Sequence, residues 1–425
     1  MVDVKNSRCN ESGLPLDTST LVDLFTMTCE VCGNPKMTTY LELGDHPLCD
    51  DLIDPKTPHT SELYRQEILL CEDCFTAHQR FPVQKETLFS PSYHYRSRLT
   101  NDVLTGMQEL VESALKLRPP ALGDRVLDIG CNDGSLLRMF KEAELQTFGV
   151  DPTRAVLEHD GSIDHAFMEF FTPDLANRLL KEFGEFQYIT MTNVFAHIED
   201  FQSLCEAIEV LIGPDTILVI ENHYLGSILE NSQFDTFYHE HPRTYSARSF
   251  EFVSARLQCP IVDLTLPKRY GGNIRISMSR GSSLQSPELL FPDEKWIPAA
   301  MKDLQEVYES WKEDALRSLQ EICLEGKVAG KALPGRAVML ISSLGLTSEM
   351  MPEIFEKPGS PKVGLMVPGT DIMISSDESL IESEYTDLVI WAWHISDEVS
   401  RYLRDLGFTG RIWKPMPTFE IISPK

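Results

Sequence analysis

The sequence lacks any run of about 18 consecutive apolar residues, so it offers no membrane span. Basic residues are scarce: Lys+Arg number 38 against 65 Asp+Glu, a net charge of −27. Such a surface repels nucleic-acid phosphates and anionic lipid, so neither nucleic acid nor membrane is an expected partner. The stretch Met1–Asn10 has no apolar segment of the kind a secretory leader carries, and a cytoplasmic location is expected. Internal repeats and low-complexity tracts are missing, which excludes a solenoid or a fibrous chain. Apart from two C-x-x-C pairs, the cysteines are scattered singly, which argues against a disulfide framework. What is present is ordinary for a globular protein, with 42% hydrophobic and 24% charged residues over 425 positions. At about 150 residues per domain, that length suggests two or three domains, each able to bury a core.

Composition divides the chain into three zones: 1–95, 96–283 and 284–425. The first is rich in Cys, Pro, Asp and Thr. The second alternates helical periodicity with short β-rich runs. The third holds a long amphipathic stretch near Trp296–Gly326 and then alternates again. A linker is expected between Gly281 and Asp293, where Ser, Pro and Gln accumulate. In the middle zone the pattern predicts a helix over Leu99–Leu117, ended by Pro119-Pro120, and a buried strand at Arg125–Ile129. A glycine-bearing loop, Gly130–Gly134, then leads into a helix from Ser135 to Ala143. Further strands are predicted at Thr147–Val150, Tyr188–Thr192 and Ile217–Ile220. In the last zone strands are predicted at Lys327–Gly330, Lys362–Met366, Ile372–Ile374 and Asp387–Trp393, and a helix at Ser396–Leu406. Residues 336–344 read as helix or strand. The expected class is α/β: an N-terminal metal-binding domain, a central Rossmann-like domain and a second, C-terminal Rossmann-like α/β domain.

The pairs Cys29/Cys32 and Cys71/Cys74 each place two thiolates on one turn. Two such knuckles complete a tetrahedral thiolate site, usually for Zn2+. With all four positions taken by protein, the metal is structural.

Val126-Leu127-Asp128-Ile129-Gly130-Cys131-Asn132-Asp133-Gly134-Ser135 is the most informative local motif. Glycines at 130 and 134 allow a tight turn and close approach of a ligand. Asp151, at the end of the next strand, is placed to accept hydrogen bonds from ribose hydroxyls. The dinucleotide pattern G-x-G-x-x-G is absent, and Asp133 would oppose a pyrophosphate. An adenosine-bearing cofactor without phosphate, S-adenosyl-L-methionine, fits better. Asp128, Asn132 and Asp133 are candidates for its methionine end or for fixing the loop.

Further on, Phe234-Asp235-Thr236-Phe237-Tyr238-His239-Glu240-His241 packs three titratable groups and a phenol into four residues. General acid–base chemistry suits it, with Glu240 orienting an imidazole. A metal site or a loop without a role are the other readings, and the sequence leaves open which imidazole faces the cofactor. Lys268-Arg269-Tyr270-Gly271-Gly272-Asn273 joins two cations to a glycine pair. With Arg243 and Arg275 it could bind a diphosphate, or it could be a solvated turn.

These segments together resemble the bacterial deoxysugar C-methyltransferases, which act on nucleotide-linked ketosugars. The cysteine pairs are similar to that family's zinc-binding domain. Tyr93-His94-Tyr95-Arg96-Ser97 resembles its Y-x-Y-x-S stretch, and Val126–Leu137 its cofactor loop. Asn193–Asp200 resembles its N-V-x-A-H-x-x-D segment, and Phe234–His241 with Tyr245-Ser246 its F-D-x-x-Y-H-E-H…F-S signature. Lys362-Val363-Gly364…Pro368-Gly369-Thr370 and Leu388–Trp393 extend the likeness to the last zone. The chain departs from the family at Tyr270-Gly271-Gly272-Asn273, where H-G-G-S is usual, and at Gly330-Lys331-Ala332-Leu333, where G-x-G-A is usual. The resemblance implies that His241 is the base, with Tyr238 and Glu240 beside it, and that Tyr93 or Tyr95 closes over the site. It implies that Ser97, Asn193 and His197 join Gly130, Gly134, Ser135 and Asp151 around the cofactor. It also implies that the C-terminal domain helps hold a small-molecule substrate, a nucleotide-diphosphate ketosugar. The expected reaction is methylation of a carbon alpha to a ketone through an enolate. Methylation of a hydroxyl or amine on another small polar metabolite, and a non-catalytic assembly role, are the competing readings.

Overall fold

The computed structural model describes residues 27–90, 93–99, 101–281 and 291–422. Most of the expected linker therefore lies outside the described residues, as does the N-terminal stretch on which the leader expectation rested. Three sheets organise the chain. The first is built from β1 (Met37–Pro47), β2 (Leu63–Cys71) and β3 (Ala77–Gln79). The second uses β4 (Arg125–Ile129), β5 (Gln146–Val150), β6 (His165–Phe167), β7 (Tyr188–Thr192) and β8 (Ile217–His223). A two-residue strand, β9 (Arg243–Thr244), leaves this second unit and pairs with β3, completing an antiparallel order β1-β2-β3-β9. Then β10 (Ile261–Thr265) and β11 (Asn273–Met278) close the second sheet in the order β10-β11-β8-β7-β4-β5-β6. Its strands from β4 to β8 run parallel, and β11 and β10 are antiparallel additions at one edge.

The third sheet takes β12 (Val328–Lys331), β13 (Glu353–Glu356), β14 (Met373–Ser376), β15 (Asp387–Ile390), β16 (Arg411–Lys414) and β17 (Glu420–Ile421) in the order β14-β13-β12-β15-β16-β17. All but β17 are parallel. Among the described residues no helix is long and apolar enough to cross a membrane.

The strand–helix grammar follows from the sequence. Val126, Leu127 and Ile129 of β4 are at most 1% exposed, and each such side chain contributes about 1.5–3 kcal/mol on burial. The helix Asn101–Leu117 ends before Pro119-Pro120, and the helix Ser135–Glu142 starts directly after Gly134. The ambiguous run at 336–344 is a helix, Gly335–Ser343, with its apolar residues buried between the first and third sheets. The predicted strand at Lys362–Met366 is instead a series of turns: Gly364 takes a φ of 91°, and only Met366 bridges to Ile53 and Met373. Strand β13 was not foreseen, because only Ile354 and Phe355 in it are apolar and buried.

Each parallel sheet reverses its winding once, between β4 and β7 in the second and between β12 and β15 in the third. Such reversals open a crevice beyond the carboxyl ends of the strands, where ligands bind in open α/β sheets. Here both crevices open into one cleft. Gly130 and Asn193 line it from the second sheet, and Lys331, Ala332 and Ala392 from the third.

A candidate active site between two sheets and a four-thiol centre

Cys29 and Cys32 lie in a turn closed by Gly33 N–H donating to the Cys29 carbonyl at 2.8 Å. Cys71 ends β2, and Cys74 follows in a second turn, closed by Phe75 N–H to the Cys71 carbonyl at 2.8 Å. The four sulfurs lie within 4.8 Å of one another, with Cys29–Cys74 at 3.5 Å and Cys32–Cys71 at 3.4 Å. These separations are too long for disulfides, at about 2.05 Å, and near the edge of a zinc–thiolate tetrahedron, about 3.8 Å for Zn–S bonds of ~2.3 Å. Hydrogen bonds from the Cys29 and Cys74 thiols hold Cys71 well below the ordinary thiol range. Three of the four are fully buried and Cys32 half-buried. The donor set fits zinc, and with four sulfurs around it the ion would have no open position for chemistry.

The glycine loop wraps over the end of β4. Gly130 has a φ of 73°, and a Cβ there would lie 2.3 Å from Val194. A methyl-free backbone is therefore required where the loop turns into the cleft. Asn132 also has positive φ, and its N–H donates to Asp151 at 3.0 Å. Asp151 further accepts from Thr153 N–H at 2.8 Å and lines the cleft at the end of β5. Burial raises its carboxyl above the usual range. Deeper in, Asp128 accepts from the Thr190 hydroxyl at 2.7 Å, and burial raises it to about 7. This cradle fits the ribose and methionine of S-adenosylmethionine: close backbone approach at Gly130, with carboxylates at Asp151 and Asp128.

Not every expected cofactor residue faces the cleft. Asp133 turns back: it accepts from Ser135 Oγ at 2.6 Å and from Arg98 N–H at 3.1 Å. Asn132 Oδ1 accepts Ser97 N–H at 3.1 Å, and its Nδ2 donates to the Tyr95 carbonyl at 3.1 Å. Asp133 and Asn132 together strap segment 95–98 across the loop. Gly134 and Ser135 lie behind the lining, with Gly134 against Ser162 and Ile163. Ser97, Asn193 and His197 do face the cleft, and the His197 ring stacks on Phe89 at 5.4 Å.

Tyr93, Tyr95, Tyr238, Glu240 and His241 line the same cleft. His241 Nδ1 meets the Thr236 carbonyl at 2.8 Å. A carbonyl only accepts, so Nδ1 carries the proton and Nε2 holds the lone pair. Burial lowers the imidazole to about 4, which keeps it neutral. The Tyr238 ring lies 4.4 Å from it, His197 4.8 Å and His223 5.3 Å. Glu240 accepts from the Tyr93 phenol at 2.8 Å and from the Cys49 thiol at 2.8 Å, and burial raises it to about 7. His239 points away, with Nε2 3.2 Å from the Tyr64 carbonyl. Downstream, Ser246 caps the helix Ala247–Leu257 in a reciprocal pair with Ser249, which anchors the exit of the loop.

The expected diphosphate cluster is dispersed. Arg243 does not reach the cleft: β9 turns its guanidinium to Glu30, the Ile198 carbonyl and Tyr245, tying the first cysteine turn to the second unit. Arg275 pairs with buried Glu221 at 2.6 Å. Among the described side chains of the run 268–273, Arg269 lines the cleft, where it lies against Gly106 and 3.3 Å from Glu221. Gly271 and Gly272 have positive φ and sit against Gln233 and Ser227, buttressing the Phe234–His241 loop. Asn273 bonds Glu221 at 3.0 Å. Lys268 is outside the lining, and the side chain of Tyr270 lies outside what is described.

The C-terminal domain was expected to hold substrate, but sequence reasoning missed Arg336 and His394 in the wall that it supplies. Lys331, Arg336, Lys362 and His394 line the cleft opposite the glycine loop. Lys331 is buried and held by Asp377 at 2.8 Å, and Lys362 Nζ donates to the Leu333 carbonyl at 2.6 Å. A lone Arg directly before the apolar run Ala337–Ile341 was the available signal for Arg336.

Three family models match in tandem: a zinc binding domain over residues 29–89, a methyltransferase domain over 95–259 and a C-methyltransferase C-terminal domain over 270–417. The C-methyltransferase NovU of Streptomyces niveus is 24% identical over 408 residues, covering 93% of this chain and 96% of its own. Among solved structures, the 1,6-didemethyltoxoflavin-N1-methyltransferase of Burkholderia thailandensis aligns with a TM-score of 0.36 at 12% identity, over 51% of this chain and 96% of that one. The magnesium protoporphyrin IX methyltransferase of Synechocystis aligns with a TM-score of 0.32 at 15% identity, over 43% and 85%. The tandem order of the three models makes this chain an S-adenosylmethionine-dependent methyltransferase that carries the C-terminal domain of C-methyltransferases.

Proposed function

We propose that the enzyme methylates a carbon alpha to the ketone of a nucleotide-linked deoxysugar, with His241 as the base. The observation that carries this reading is the pairing of two strand-end crevices in one cleft. Each is of the type that takes a nucleotide-like ligand. The glycine loop serves the cofactor's adenosine, which leaves the second crevice, between β12 and β15, for a nucleotide on the substrate. Lys362 and Lys357, which both line the cleft, supply positive charge to a diphosphate. Bound S-adenosylmethionine supplies an electrophilic methyl group.

The chain's own residues prepare the acceptor. His241 Nε2 removes the proton alpha to the ketone, and Nδ1–H stays on the Thr236 carbonyl as the ring becomes cationic. The Tyr238 phenol steadies the oxyanion that develops on the ketone oxygen. Glu240 holds Tyr93 in place through its 2.8 Å bond. The cleft walls from both sheets would hold the acceptor carbon against the cofactor, which would supply the methyl group. The nine described cysteines are all unpaired, which suits a reducing compartment, and we assign the reaction to the cytoplasm.

The test is incubation of the full-length protein with S-adenosylmethionine and a panel of nucleoside-diphosphate ketosugars. Mass spectrometry reads the gain of one methyl group, and NMR reads its attachment. A C–CH3 product supports the proposal; methylation at oxygen or nitrogen only would reject it.

A further inference from the structure

The base is held by an ion pair that comes from the third unit. Arg336, at the start of the helix Gly335–Ser343, reaches across to the turn Phe234–Thr236. Its Nη2 donates to Asp235 Oδ1 at 2.6 Å and its Nε to Asp235 Oδ2 at 2.8 Å. The same Nη2 contacts the Thr236 hydroxyl at 2.8 Å and Gln233 Oε1 at 3.2 Å. Trp393 completes the arrangement: its indole N–H donates to Asp235 at 2.7 Å, and its ring lies under the guanidinium, 4.9 Å from the centroid. Asp235 is 0% exposed and Arg336 6%.

A buried ion pair is a poor way to gain stability, since desolvation offsets most of the attraction. Fixing a geometry is its better-attested use. Here the fixed element is the Gln233–Thr236 turn, and the Thr236 carbonyl is the group that receives Nδ1–H of His241. Among the described residues, no other hydrogen bond orients the imidazole. Gln233 is pinned from the other side as well, through Nε2 donating to the Gly271 carbonyl at 2.6 Å.

We propose that Arg336, through Asp235 and Thr236, is a positioning residue that sets the tautomer and direction of His241, so that the third unit assembles the base. This rests on the reading of His241 as the base. The proton is kept on Nδ1 because the turn presents a carbonyl to it, and the turn keeps that carbonyl in place because the guanidinium grips three of its side chains. Arg336 also faces the cleft beside the Lys331–Gly335 loop. The residue that steadies the base is therefore part of the wall against which the substrate would lie.

The test needs no substrate. The full-length protein carries 11 histidines. With 15N-labelled imidazoles, two-bond proton–nitrogen NMR reports the tautomer of each, and His241→Asn assigns the signal. In the wild type, His241 is expected as a single Nδ1–H tautomer; an Nε2–H tautomer there would overturn the proposal outright. In Arg336→Met and Asp235→Asn, the signal is expected to split or move toward a tautomer mixture. S-adenosylhomocysteine, measured by calorimetry on the same samples, should still bind within about twofold, since a rate effect of roughly 100-fold can arise from misplacement alone. An unchanged His241 tautomer in variants that bind S-adenosylhomocysteine normally would contradict the proposal. Should those variants not fold, Trp393→Phe, which removes one N–H from Asp235, gives the same readout. Failure here leaves the ketosugar reading standing, because the tautomer is read without an acceptor.

Discussion

Tyr93 gives its phenol hydrogen to Glu240 at 2.8 Å, deep in the cleft and across the boundary between the strapping segment and the His241 loop. Glu240 is buried, and burial raises its carboxyl to about 7, against roughly 4.3 for an unfolded glutamate. A group with a raised folded value contributes stability that is complete below the unfolded value and lost as pH rises through the folded one. Glu240 should therefore cost the protein stability between about pH 4.3 and 7. Glu240→Gln cannot ionise, so its melting temperature is expected to fall less than that of the wild type between pH 5 and pH 8. Equal falls, by differential scanning calorimetry, would show that Glu240 does not carry this load.

Gly130→Ala should damage cofactor binding more than folding. The added Cβ would lie 2.3 Å from Val194, and the left-handed backbone costs a side-chain-bearing residue roughly 1–2 kcal/mol. Both penalties fall on the loop that shapes the cleft. S-adenosylhomocysteine affinity is expected to drop at least about tenfold, read by calorimetry, with the chain still folded. Retained affinity would remove the loop from the cofactor site.

Asp151 carries two duties: it holds Asn132 N–H and Thr153, and it faces the cleft. Asp151→Asn keeps size but loses charge and one acceptor. Its affinity for S-adenosylhomocysteine should fall by about 1.5–3 kcal/mol, the worth of hydrogen bonds to a charged group. Comparison with 2′,3′-dideoxy-S-adenosylhomocysteine separates the duties. If the ribose contact is real, the variant's loss shrinks for that ligand; an equal loss with both ligands would assign Asp151 to the loop alone.

The four-thiol centre should hold one zinc, and its loss should spread. Strand β3 follows Cys74 and pairs with β9, which leads directly out of the His241 loop. Structural zinc contributes its binding energy to folding, about 10–16 kcal/mol in small zinc domains. Cys71→Ser is expected to lose the metal by plasma mass spectrometry and to melt at a clearly lower temperature. A protein with no metal and an unchanged melting curve would contradict the assignment.

Much of this was legible in the sequence because it is local. The run Val126–Ile129 followed by Gly130 announces a buried strand and a tight turn, and the structure places both there. The cysteine pairs announce a thiolate site, which needs only two short turns. The third unit's strand–helix alternation was readable in part: β13 and β16 were missed, and at Lys362–Met366 Gly364 turns the chain where a strand was expected. The places of Arg336 and His394 in the cleft wall were not readable. Arg336 and Asp235 lie 101 residues apart, and a contact between distant positions leaves no periodic trace. The basic run at 268–273 misled for a related reason. Its charges were visible, but the partners that engage Arg269, Glu221 and Glu109, belong to other elements.

The most direct measurement is hydrogen exchange at the acceptor carbon. A nucleoside-diphosphate ketosugar in D2O, with the enzyme and S-adenosylhomocysteine, should take up deuterium alpha to the ketone, as read by NMR. His241→Asn should slow that uptake by about 100-fold or more while binding S-adenosylhomocysteine as tightly as the wild type. Undiminished exchange in His241→Asn, or none in the wild type with a sugar that it methylates, would contradict the account.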